Sequence, residues 1–118
     1  MLNVKVYSGN LLIGTADLFA TDPPMGVAGG KLSVTSDYGK VRLAIDSLNS
    51  NPQPDWSALD LKALTNDGKE VHSVGGILIS DLVDVYIDEA PDIDILGIAD
   101  AYELWFGTDP AYRAYYGT

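Results

Sequence analysis

The sequence predicts an α+β fold in one domain spanning residues 1–118: a mainly antiparallel sheet of five to seven strands, one central helix, and short helices near the C-terminus. A closed or half-open barrel is the alternative arrangement of the same strands. Three observations carry this reading. Apolar residues alternate with polar ones at a period of two in several short segments, the pattern of half-buried strands. One stretch in the middle changes to a helical period. The chain has 118 residues, 47% of them apolar and 20% charged, enough for one buried core and too little for two.

Leu2, Val4 and Val6 alternate with Asn3, Lys5 and Tyr7, which predicts a first strand. Ser8-Gly9-Asn10 supplies turn residues that tolerate positive φ, so Leu11 to Phe19 is expected to return as the second strand of a hairpin, its inward face left open. Asp22-Pro23-Pro24-Met25-Gly26 interrupts, because proline lacks the N–H that a central strand needs. Alternation resumes from Lys31 to Thr35, with Leu32 and Val34 on one side. From Asp37 to Leu48, Tyr38, Val41, Ala44, Ile45 and Leu48 form one helical stripe that Ser36 or Asp37 can cap. The polar, proline-bearing stretch 49–54 ends it.

Residues 59–65 read as a strand, with a short helix over 57–64 as the competing reading. Asn66-Asp67-Gly68-Lys69 is a hairpin signal. Val71 to Ile79 reads as a strand bent at Gly75-Gly76. Val83, Val85 and Ile87, then Ile93 and Ile95, alternate with acids and tyrosine, which predicts an acidic hairpin with its apolar residues inward. Tyr102, Trp105 and Phe106 take helical spacing and are expected to clamp the C-terminus to the sheet, with Trp105 in the core. Gly107 reads as a stop, and Asp109-Pro110 as an N-cap and first-turn proline opening a last helix.

The charge is uneven. Residues 1–80 carry eight acids against six bases, and residues 81–118 carry nine acids against Arg113 alone, within a chain of net charge −10. Such a balance argues against any grip on a nucleic-acid backbone. The absence of cysteine excludes disulfides, thiolate metal sites and a cysteine nucleophile, and one histidine excludes a multi-histidine metal centre. No apolar run approaches the roughly 20 residues of a membrane span. The first residues lack a basic head followed by an apolar stretch, so a cytoplasmic protein without a membrane partner is the expectation.

Two segments carry a resemblance. Asp22-Pro23-Pro24-Met25-Gly26-Val27-Ala28-x-Gly30 follows the hairpin, and Leu96-Gly97-Ile98 precedes Tyr102-Glu103-Leu104-Trp105-Phe106. Together they resemble small bacterial hypothetical proteins with a "DPPMGVAxG" turn and a later "LGI…YEeLF" segment. The likeness covers roughly a third of the chain. It implies a small α+β domain and brings no catalytic residue with it.

No catalytic set emerges from the residues themselves. Glu70 and His72 could pair on one face of a strand, but a solvated histidine after a turn is the plainer reading. Gly26 to Gly30 is glycine-rich but lacks the Lys-Ser/Thr ending of a phosphate loop, so its glycines are read as backbone freedom. Asp88, Glu89, Asp92 and Asp94 lie close together without the spacing of a calcium loop. No catalytic residue, metal ligand or cofactor is therefore assigned. The leading expectation is a small acidic binding protein, of immunity or inhibitor type, that docks a basic protein. Its candidate contacts are Asp84, Tyr86, Asp88, Asp92 and Asp94 on the acidic hairpin, with Met25 on the proline turn and Tyr115 and Tyr116 near the C-terminus. The alternative is a small carboxylate- or metal-dependent enzyme, which would need two or more acids with shifted pKa values in a pocket.

Overall fold

A computed structural model describes residues 1–81, 90–98 and 102–116. Among the described residues, six strands form one curled, half-barrel sheet in which every pairing is antiparallel. They are β1 (Leu2–Ser8), β2 (Leu11–Asp22), β3 (Val27–Val34), β4 (Leu61–Thr65), β5 (Gly76–Ser80) and β6 (Asp92–Leu96), in the spatial order β4-β1-β2-β3-β6-β5. Three α-helices among the described residues accompany the sheet: α1 (Arg42–Asn49), α2 (Tyr102–Phe106) and α3 (Pro110–Tyr116). The predicted fold class is the observed one.

One face of the sheet makes the core. Val4 and Val6 of β1, Ile13, Ala16, Leu18 and Ala20 of β2, and Ala28 and Leu32 of β3 are buried. Ile93 and Ile95 of β6 join them, as their alternation predicts, with Ile77 and Ile79 of β5 alongside. Tyr38, Val41 and Ile45 cover this face from one side and Tyr102 and Phe106 from another. The helical stripe is only partly as expected, because the segment opens as a 3₁₀ turn, Ser36–Lys40, before α1. Three residues per turn put Tyr38 above Val41 and leave Ala44 exposed. Neither Ser36 nor Asp37 caps α1, whose N-cap is Val41. Val34 is exposed although Leu32 is buried: it ends β3 opposite Gly14, which has no side chain to cover it.

The competing readings of 57–65 are both realised in part. Trp56–Leu59 is a 3₁₀ turn, and the strand begins only at Leu61. Asp60 sits between them at φ +48, a left-handed conformation that ends the turn. The return after Asn66–Lys69 is a bridge between Leu64 and Glu70 rather than a long strand. β5 starts at Gly76, whose φ of +83 makes the expected bend.

The two segments that carry the resemblance meet in space. Gly26 ends the Pro23–Met25 3₁₀ turn at φ +66, and a Cβ there would press against the Ile98 carbonyl. The Ile98 N–H donates to the Gly26 carbonyl at 2.9 Å, and the Tyr102 hydroxyl donates to the Val27 carbonyl at 2.8 Å. Asp109 does more than open α3. Its carboxylate is buried and accepts from the Ala20 N–H at 2.9 Å and from the Met1 ammonium. The C-terminal clamp therefore exists, but Trp105 is only half-buried and Phe106 is the ring sealed in the core. Adjacent positions on a helix point about 100° apart, so only one of the pair can face the sheet fully.

Phe106→Ala should cost about 3–5 kcal/mol and lower the melting temperature by more than about ten degrees. Trp105→Ala should cost less than half as much. Thermal unfolding followed by circular dichroism checks this, and equal losses for the two variants would contradict the packing described.

Candidate functional site

The other face of the sheet carries the side chains that alternate with the core. On β2 these are Asp17, Phe19 and Thr21, set between the buried Ala16, Leu18 and Ala20. On β3 they are Gly29, Lys31 and Ser33, and on β6 Asp92 and Asp94. The strand register arranges them in two cross-strand rows. Asn3 of β1 lies opposite Asp17, and Asp92 lies opposite both Lys31 and Ser80. The pairing of Ala16 with Leu32 and of Phe19 with Gly29 sets Asp17 across from Lys31. In the next row Phe19 lies opposite Gly29, and Gly29 opposite Asp94.

The β2, β3 and β6 residues of these rows, with Ser80, line a groove of about 710 Å³. Its side chains include three carboxylates, Asp17, Asp92 and Asp94, and one ammonium, Lys31. Lys31 Nζ sits 2.8 Å from Asp92 Oδ1, and Asn3 Nδ2 donates to Asp17 Oδ1 at 2.8 Å. Asp94 is the carboxylate that lies over Gly29: a Cβ built on that glycine would fall under 3.0 Å from Asp94 Oδ1. Gly30 is tight for a different reason, since a Cβ there would meet the Asp17 carbonyl. The reading of these glycines as backbone freedom holds for Gly26, whereas Gly29 and Gly30 are not among the positive-φ residues and supply space instead.

Partial burial, followed by the neighbouring Asp92 charge, raises the Asp94 pKa above the ordinary value of 3.8. The folded protein therefore holds the Asp94 proton more tightly than the unfolded chain. Stability therefore falls as pH rises from the unfolded-chain value of 3.8 through the folded-state value, and the cost is gone below 3.8.

The candidate contacts divide into three groups. Asp92 and Asp94 stand in the groove. Asp84, Tyr86 and Asp88, with the strand expected over 83–88, lie outside the described residues. Within the described residues, β6 takes β3 and β5 as its two neighbours. Met25 is 67% exposed at the proline turn, and Tyr115 and Tyr116 are 60% and 48% exposed on α3, their rings edge-on at 4.9 Å. Tyr115 lines a second concavity of about 420 Å³ with Pro23, Pro24, Ala111 and Ala114. Thr21 lines both concavities, so the proline–tyrosine shelf adjoins the acidic groove.

Sequence reasoning missed Asp17, Phe19, Lys31 and Gly29 as groove residues. The signal was present in the alternation of Ala16, Leu18 and Ala20 with Asp17, Phe19 and Thr21, but the facing of that strand was left open.

Tyr38, Asp81 and His72, outside the groove, have partners of their own. Tyr38 donates to Asp81 Oδ2 at 2.8 Å, and burial, then this bond to a carboxylate, pushes its phenol up. Asn49 Oδ1 accepts from the Asp81 N–H while its amide donates to the Ile79 carbonyl, which ties α1 to β5. His72 is exposed, with Nδ1 3.5 Å from Glu70 Oε2. Among the described residues no three His, Asp or Glu side chains gather as a metal site, and no helix is long and apolar enough to cross a membrane.

A carboxyl-carbon NMR titration should place Asp94 above 3.8. Asp94→Asn should raise stability at neutral pH by about 0.2–0.5 kcal/mol after solvent screening, with the gain vanishing as the pH is lowered. An Asp94 that titrates at or below 3.8 would contradict the geometry.

No family model matches this chain, and neither a curated protein nor a solved structure matches it.

Proposed function

We propose that this chain is a non-catalytic, cytoplasmic binding protein of immunity or inhibitor type that docks a basic protein surface. The observation that carries the reading is the groove in which β2, β3 and β6 bring Asp17, Asp92 and Asp94 around the Lys31 ammonium. Side chains held by strands in register need little ordering on binding, which favours preorganised contact. A cationic partner relieves the repulsion among these carboxylates, and the adjoining shelf of Pro23, Pro24 and Tyr115 adds apolar contact. Tyr115 is of a type that recurs among binding hot spots. The net charge of −10 steers a basic partner toward the protein before contact.

A second reading, a small carboxylate enzyme, is favoured by one observation: burial, then the neighbouring Asp92 charge, makes Asp94 hold its proton more tightly. Against it stands the site as the described residues form it, a groove along the surface of a sheet rather than a cleft that excludes water.

A short capped peptide alternating lysine and arginine is the probe. Its affinity should fall about ten-fold between about 50 and 300 mM salt, because exposed charges are screened over about 10 Å at 0.1 M. Asp17→Asn with Asp94→Asn should weaken binding by about ten-fold at low salt. Asp60→Asn with Glu103→Gln removes the same charge from exposed positions outside the groove and should change affinity by less than about two-fold. Equal losses for the two double variants would overturn the assignment of the groove.

A further inference from the structure

The lower row of the groove has a shape that its charge alone does not explain. Phe19, Gly29 and Asp94 are successive cross-strand partners on β2, β3 and β6. Neighbouring strands lie about 4.8 Å apart, so the backbones that carry the ring and the carboxylate are separated by about 10 Å. Between them Gly29 contributes no side chain. The atom nearest its missing Cβ is Asp94 Oδ1, which places the carboxylate on the glycine. Phe19 is 46% exposed, a large apolar ring among Asp17, Thr21, Lys31 and Ser33, and it is not part of the buried core. An exposed aromatic ring and a carboxylate that lies over a glycine thus share one row.

The chemistry that matches such a row is a planar cation. A guanidinium can lie against an aromatic face and direct two N–H groups at a carboxylate, and it gives up water more readily than an ammonium does. A lysine ammonium has no plane to stack, keeps its water more strongly and makes the weaker contact with a ring. The other two carboxylates of the groove are already engaged, Asp92 by Lys31 and Asp17 by Asn3. We infer that Phe19, Gly29 and Asp94 form a subsite for an arginine side chain of the basic partner. This rests on the docking reading above and narrows it from any basic surface to one that presents arginine.

The test compares a short capped arginine-rich peptide with its twin in which every arginine is lysine, each titrated into the full chain by calorimetry. The arginine peptide should bind about five-fold more tightly. Phe19→Leu keeps an apolar side chain but removes the ring. It should cost the arginine peptide about three-fold and the lysine peptide less than about 1.5-fold. Gly29→Ala places a methyl group against Asp94 Oδ1, which must move aside, and should erase the preference for arginine. Circular dichroism confirms that each variant is folded, and Phe19→Leu, at an exposed position, carries the test if Gly29→Ala does not fold. Equal, salt-sensitive binding of both peptides, or a Phe19→Leu variant that keeps the preference, would overturn the subsite and leave the docking reading standing. Failure of both peptides to bind at low salt would overturn both.

Discussion

Two adjacent positions on β3 carry no side chain, and the centre of the sheet is built around that gap. At Gly30 the β2 backbone comes so close that any Cβ would collide with the Asp17 carbonyl. At Gly29 the space is taken by the Asp94 carboxylate arriving from β6. A residue with a side chain at either position would push one neighbouring strand or its side chain away. The same pair of glycines therefore serves both faces. It lets β2, β3 and β6 pack closely around Leu18, Ile93 and Ile95, and it floors the groove between Phe19 and Asp94.

The C-terminal segment is held by polar contacts to backbone as much as by apolar packing. Ile98 to Gly26, Tyr102 to Val27 and Asp109 to Ala20 are three hydrogen bonds that fasten the chain after β6 to the β2–β3 connection. Each uses a backbone group at or beside the proline turn, where the regular ladder is interrupted. Burial, then the charges of Asp109 and Asp22, pushes the Tyr102 phenol up to about 12, so it stays a hydrogen-bond donor throughout the neutral range. This fastening also sets Tyr115 against Pro23 and Pro24, which creates the shelf at the end of the groove.

The fold was legible where one period ran without interruption. Leu2 to Val6 and Ile93 to Ile95 alternate cleanly and are buried as that alternation requires. It was less legible where a turn type intervened: a 3₁₀ turn before α1 shifted the stripe, and Asp60 in a left-handed conformation divided a turn from a strand. The site was half legible. Asp92 and Asp94 announced themselves by local charge, but Asp17 and Lys31 reach them only through the register of strands distant in sequence. No local pattern encodes which residue of β2 lies across from which residue of β3. The role of Gly29 was hidden for the same reason, since the carboxylate that occupies its space comes from a residue 65 positions later.

Charge complementarity gives the account its direction, and the sheet register gives it a place. The measurement that tests both together is a map of backbone amide NMR shifts as the alternating lysine–arginine peptide is added. The account predicts that the largest shifts fall on residues 17–21, 29–31 and 92–96, and that they shrink together as salt is raised. Shifts concentrated on α1 or the 66–70 turn, or spread evenly over the acidic residues, would contradict it.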